Sequence, residues 1–101
     1  MTAPRAETIL VIDDRKELVD GLRLSLEPAG YRVLGAGTGE EGLETARDAR
    51  PDLIVLDLML PGIDGFEVCK KLRAGGDQTP VIMLSARSAD RPRRRSGEAR
   101  I

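Results

Sequence analysis

Three uninterrupted apolar runs, Ile9–Ile12, Leu53–Leu56 and Val81–Leu84, constrain this chain more than any other feature. Successive residues of a strand point to opposite faces, so a strand with one wet face alternates apolar and polar side chains. A strand that is apolar at every position needs cover on both faces, as in a parallel sheet with helices on either side. A fourth stretch, YRVLGA from Tyr31, sets Arg32 between apolar neighbours and suits an edge strand.

Helical patterns fill the gaps between these runs. Leu18, Leu22 and Leu26 recur every four residues, and Pro28 and Gly30 end that segment. Leu43 and Ala46 share one face of a second helix. A third is predicted to begin at Asp64, with Glu67 three residues on as in a capping box. Phe66, Cys69 and Leu72 are expected on its inner face, and Gly75-Gly76 stops it. The order is β-α-β-α-β-α-β. Connections between parallel strands are right-handed crossovers, so the predicted class is a doubly wound α/β fold.

Composition narrows the function classes. At 101 residues the chain is at most one small domain. Tyr31 and Phe66 are the only aromatics, so the core has to be aliphatic. Cys69 stands alone, which excludes an intrachain disulfide and fits a reducing compartment; a small core residue is expected there. No apolar run approaches membrane-spanning length, and MTAPRAE lacks the apolar block of a secretory signal, so a cytoplasmic protein is expected. Residues 1–86 hold 10 basic and 15 acidic residues, a net −5, whereas residues 87–101 hold 6 arginines and 2 acids, a net +4.

In doubly wound sheets the chemistry gathers at the carboxyl ends of the strands. Those ends carry Asp13 and Asp14 after the first run, Asp57 after the third strand and Ser85 after the fourth. Two like charges ~4 Å apart repel by roughly 4 kcal/mol at an effective dielectric near 20, so such a cluster needs protons or a cation. An all-oxygen site with access to water suits Mg²⁺. A divalent ion there would hold a phosphoryl group against Asp57, a carboxylate nucleophile, with Ser85 donating a hydrogen bond to the phosphoryl oxygens.

Competing readings are weaker. Gly37-Thr38-Gly39-Glu40-Glu41-Gly42 fits the glycine spacing of a dinucleotide-binding turn, but two glutamates at the helix start would repel a pyrophosphate. The plain alternative is a flexible turn into an acid-capped helix. A phosphatase with an aspartyl nucleophile usually has a second aspartate two residues on, where this chain has Met59. Arg93-Arg94-Arg95 lacks the interleaved aromatics and folded setting of a nucleic-acid site, so no nucleic-acid partner is expected.

The stretches ILVIDD, PDLIVLDLMLPGIDGFEVCKKLR and TPVIMLSA together resemble the receiver domain of two-component response regulators, over about residues 7–88. The resemblance implies a flavodoxin-like sheet beginning in strand order 2-1-3-4. It makes Asp57 the phosphoacceptor, with Asp14 and Asp57 as direct Mg²⁺ ligands, Asp13 acting mainly through water, and the backbone carbonyl of Met59 completing the protein ligands. Ser85 matches the hydroxyl residue that moves toward the phosphoryl group. The donor would be a phosphohistidine on a sensor kinase or phosphotransfer protein, and the chain a signalling module rather than an enzyme.

The chain also departs from that family. The usual helix, fifth strand and final helix after the fourth strand have no counterpart, nor has the fifth-strand lysine; Lys16, Lys70 and Lys71 all fall in helical patterns. The expectation is therefore an incomplete receiver at residues 7–88, after a flexible N-terminus at 1–6. Residues 89–101 read as a basic tail, disordered or out of frame. Completion by a partner, or strand exchange in a homodimer, is one expected consequence; a non-signalling fragment acting by protein association is the other.

Overall fold

The computed structural model describes residues 6–84. The elements run in the predicted order: β1 (Thr8–Ile12), α1 (Lys16–Leu26), β2 (Arg32–Ala36), α2 (Gly39–Ala49), β3 (Leu53–Asp57), α3 (Gly65–Ala74) and β4 (Val81–Leu84). All strand pairs are parallel, and the sheet order is β2-β1-β3-β4. β1 and β3 are thus central, and β2, with exposed Arg32 and Gly35, is an edge. No described helix is long and apolar enough to cross a membrane. Residues 1–5 and 85–101 lie outside the described residues, and with them most of the expected N-terminal segment, Ser85 and the expected basic tail.

The apolar runs are continuous because the two faces of the sheet feed two separate cores. Leu10, Ile12, Ile54 and Leu56 point to one face, where they pack with Ala46 of α2 and Val68 and Leu72 of α3. Ile9 and Val11 point to the other, against Val19 of α1 and Val33 of β2, with Leu22 and Leu26 at the margin. Leu10, Ile12, Ile54 and Leu56 are all fully buried. Each such side chain contributes about 1.5–3 kcal/mol of hydrophobic free energy relative to exposure. β4 differs: it pairs with β3 alone, and all four of its residues are half-buried, because no other described strand adjoins it.

The inner faces of two helices sit slightly off the predicted stripes. In α1 the deepest residue is Val19, while Leu22 and Leu26 are only partly covered. In α3 the stripe is Gly65, Val68 and Leu72; Phe66 and Cys69 are half-buried at its side. Gly65, Val68 and Leu72 are spaced by three and four residues and share one face, whereas Phe66 and Cys69 each follow a stripe residue by one position, a rotation of about 100° onto its flank. Cys69 packs against the rim of the core.

Two of the three described helices, α2 and α3, start with side-chain caps, and the Asp64 cap is the one the sequence suggests. Asp64 Oδ1 accepts from the Glu67 amide at 2.9 Å. Thr38 Oγ1 accepts from the Glu41 amide at 3.1 Å, and Glu41 Oε1 accepts from the Gly37 amide at 3.0 Å. The Glu41 amide in the first turn of α2 and the Gly37 amide before it are therefore held by the protein's own side chains. Its glycines serve packing: a Cβ at Gly39 would stand 2.6 Å from Ile63 Cγ1, and one at Gly42 2.5 Å from Ile12 Cδ1.

The α3–β4 connection is organised by Asp77. Its Oδ1 accepts from the Thr79 amide at 2.9 Å and from the Thr79 hydroxyl at 2.5 Å, while Arg73 donates to the carbonyls of Asp77 and Thr79. The Thr79 hydroxyl bond, then its amide bond, hold the Asp77 carboxyl below its ordinary value of 3.8.

The tight approach of α2 to β1 makes Gly42→Ala destabilising by about 1–3 kcal/mol, since β1 cannot retreat from α2. Gly21→Ala, where a Cβ meets nothing within 4 Å, should stabilise α1 by up to ~1 kcal/mol. Urea unfolding of both variants measures the contrast; equal effects would refute the packing role. For Asp77, a depressed folded pKa means a contribution present above the unfolded value and lost as pH falls through the folded one. Asp77→Ala should thus melt below wild type at neutral pH, and the gap should narrow as pH is lowered past 3.8. A gap independent of pH would reject the ionised turn.

Candidate functional site

The β1–β3 register pairs Ile12 with Leu56. Each strand then delivers an aspartate to the same edge: Asp57 ends β3, and Asp13 follows Ile12. The Asp13 amide donates to the Ala36 carbonyl at 2.9 Å, which ties this corner to β2 as well. Asp13 and Asp57 are buried, at 2% and 0% exposure, and Asp14 beside them is exposed. One carboxylate oxygen from each of the three lies within 4.8 Å of the others. The sequence-predicted acidic cluster therefore forms, with two members walled in and one facing water.

The loop after β3 shapes the other side of the site. Asp57 Oδ1 accepts from the Met59 amide at 3.1 Å, so the Met59 backbone lies against the carboxylate while its side chain is exposed. Leu60 turns inward to the core. The chain then reverses at Pro61-Gly62, where Gly62 takes φ +78°, a conformation that costs glycine little. Gly65 opens α3 so close to β3 that a Cβ would stand 2.6 Å from the Asp57 carbonyl oxygen. Its amide donates to the Leu58 carbonyl at 3.1 Å. At the carboxyl edge of β1 and β3, Asp13 and Asp57 are buried and Asp14 alone of the three is exposed. Ser85 lies outside the described residues; Leu84, which precedes it, is the register partner of Asp57.

One participant escaped the sequence reading. Arg15 grips Asp13 with Nε–H to Oδ1 at 3.0 Å and Nη2–H to Oδ2 at 2.8 Å, and its amide also donates to Oδ1 at 2.8 Å. The Asp13 hydrogen bond, then the charges of Asp13, Asp57 and Asp14, raise the Arg15 pKa above its already high value. The available signal was an arginine two residues beyond a strand-end aspartate, at the start of a helix without a Ser, Thr, Asp or Asn cap.

The donor set suits a small hard cation. It offers carboxylate oxygens only, on a buried wall with one exposed member, and no described nitrogen or sulfur ligand joins the cluster. Such a site can hold a divalent ion and present a carboxylate nucleophile beside it.

Comparison with known proteins agrees with this architecture. Residues 9–100 match the family model of the response regulator receiver domain. The transcriptional regulatory protein AfsQ1 of Streptomyces coelicolor is 53% identical over 83 residues, covering 82% of this chain and 36% of that protein. The chain spans about a third of the length of the curated relatives it matches. Among solved structures, the N-terminal domain of a response regulator receiver protein from Methanoculleus marisnigri superposes with a TM-score of 0.75 at 41% identity, covering 78% of this chain and 66% of that one. The BeF3-activated receiver domain of RstA from Klebsiella pneumoniae gives 0.72 at 32% identity, covering 77% and 66%. With the family's sheet order and an acidic cluster at its carboxyl edge, this chain belongs to the response regulator receiver domain family.

Proposed function

We propose that this chain accepts a phosphoryl group on Asp57 in a two-component phosphorelay, with Mg²⁺ held by the acidic cluster. The observation that carries the reading is the convergence of Asp13, Asp14 and Asp57 at the carboxyl edge of β1 and β3. Asp14 and Asp57 would ligate the ion directly, Asp13 through water, and Met59 through its backbone carbonyl. When bound, the ion supplies positive charge against the phosphoryl oxygens as they approach the carboxylate.

The protein's own contribution is to position the nucleophile. Asp57 is fixed at the end of a fully paired strand, and the Met59 amide orients its carboxylate. One Asp57 oxygen forms the new bond to phosphorus as the phosphorus–nitrogen bond of a phosphohistidine breaks. The electron pair stays on the imidazole nitrogen, which takes its proton from solvent, and the product is an acyl phosphate. Ser85 is assigned the hydrogen bond to a phosphoryl oxygen. The phosphodonor would be a sensor histidine kinase or a phosphotransfer protein, and the setting cytoplasmic. Activation of the Klebsiella relative by BeF3 is in keeping with this reading.

The test is incubation with a small phosphoramidate and Mg²⁺, followed by intact-mass analysis. Wild type should gain one phosphoryl group that hydroxylamine removes; Asp57→Asn should gain none, and chelation of the ion should suppress the reaction. Persistent phosphorylation of Asp57→Asn would reject Asp57 as acceptor. The same variant offers a second prediction without any donor. The substituted carboxamide keeps an acceptor for the Met59 amide but removes one of three neighbouring charges. Metal-free stability should rise by about 1–2 kcal/mol at low salt and by less at high salt. Unchanged or lower stability in urea titrations would show that repulsion in the cluster is already relieved.

A further inference from the structure

Arg15 occupies the N-cap position of α1 without providing a side-chain cap. Its guanidinium turns to the acidic cluster instead. Its Nε–H and Nη2–H bonds engage both oxygens of Asp13, a paired fork-like contact of the kind that makes arginine–carboxylate bonds strong. The Asp13 side chain is fully buried, whereas 32% of the Arg15 side chain remains exposed. The carboxylate is therefore fixed, and the guanidinium has an open route to water. Lys16, the next residue, is directed elsewhere, to Asp20 at 3.4 Å. Arg15 is thus a tethered cation at the place where a soluble cation is needed.

We infer that Arg15 is the site's internal counter-ion, competing with the divalent metal for Asp13 and thereby setting the metal affinity. This rests on the proposal that Mg²⁺ binds at Asp13, Asp14 and Asp57. Oδ1 of Asp13 already accepts from the Arg15 amide and Nε–H, so a metal-bound water would have to meet Oδ2, where it would compete with the Arg15 Nη2–H. A divalent ion at the cluster would set a second positive charge beside the guanidinium, which would weaken the Nη2–H arm of the fork and favour its movement toward solvent. In the metal-free chain the same arm balances part of the cluster's charge, so the fold tolerates an empty site. Arg15 is a positioning residue here, since it acts on the metal through Asp13.

The experiment is a Mg²⁺ titration of the full chain followed by amide NMR, for wild type, Arg15→Met and Arg15→Lys. Arg15→Met should bind Mg²⁺ about tenfold tighter than wild type, the scale of one lost charge-assisted competitor. Arg15→Lys retains the charge and should stay closer to wild type. In wild type, the Arg15 Nε–H resonance should shift and exchange faster with water as Mg²⁺ saturates. This last readout needs no variant and decides the matter if Arg15→Met fails to fold. Wild-type binding with equal or weaker affinity in a folded Arg15→Met, or an Nε–H resonance unmoved at saturation, overturns the role of Arg15 alone. Failure of every form to bind Mg²⁺ overturns both this role and the metal site beneath it.

Discussion

The parallel pairing of β1 with β3 is the constraint on which the rest of the structure depends. Ile9 pairs with Leu53 and Ile12 with Leu56, and both strands are apolar on both faces. A slip of one residue would exchange every side chain between the two cores. It would send Ile12 toward Val19 and Val11 toward α2, and leave volumes that neither core could fill. The register is therefore fixed by packing, and the placement of Asp13 beside Asp57 comes with it. The acidic cluster needs no separate folding device. It is the first polar position beyond the point where the apolar runs stop.

That dependence explains why so much could be read from the sequence. Apolar runs of four residues announce doubly covered strands, and a polar residue directly after such a run marks the edge of the sheet. Asp13, Asp14 and Asp57 were legible for that reason, as were the Asp64 cap and the edge character of β2. The less legible parts depend on distances that spacing does not encode. Val68 rather than Phe66 became the inner residue of α3, because Gly65 brings the helix start against the Asp57 backbone and so sets the helix rotation. Arg15 was missed because one arginine near a helix start is ordinary, and only the folded loop shows its fork on Asp13. The resemblance supplied what no residue pattern could: the strand order, and the expectation of a backbone ligand at Met59.

The glycine-rich turn before α2 shows how the same fold separates two chemistries. Its spacing suits a phosphate-binding loop, and a helix N-terminus is an anion site when its amides are open. Here Thr38 and Glu41 already satisfy amides at that terminus. Gly39 and Gly42 are required by contact with Ile63, Val68 and Ile12 rather than by a ligand. The proposed function accordingly relies on a cation held by carboxylates at this end of the sheet rather than on the backbone amides of α2.

The charges at the site indicate why a divalent ion fits it better than Arg15 alone. At the 4.8 Å limit of their separation, two full charges repel by roughly 3.5 kcal/mol at an effective dielectric near 20. Three carboxylates form three such pairs. One guanidinium bound to Asp13 offsets part of this, but its fork is committed to a single carboxylate. Three formal negative charges and one positive leave −2 at the cluster. An ion of charge +2 balances that remainder, and its small radius lets it approach several carboxylate oxygens at once, which a planar guanidinium cannot do. On the proposed function, phosphoryl oxygens would add negative charge again, and the balance would then favour keeping both cations near the edge, the metal among the carboxylates and the guanidinium close by.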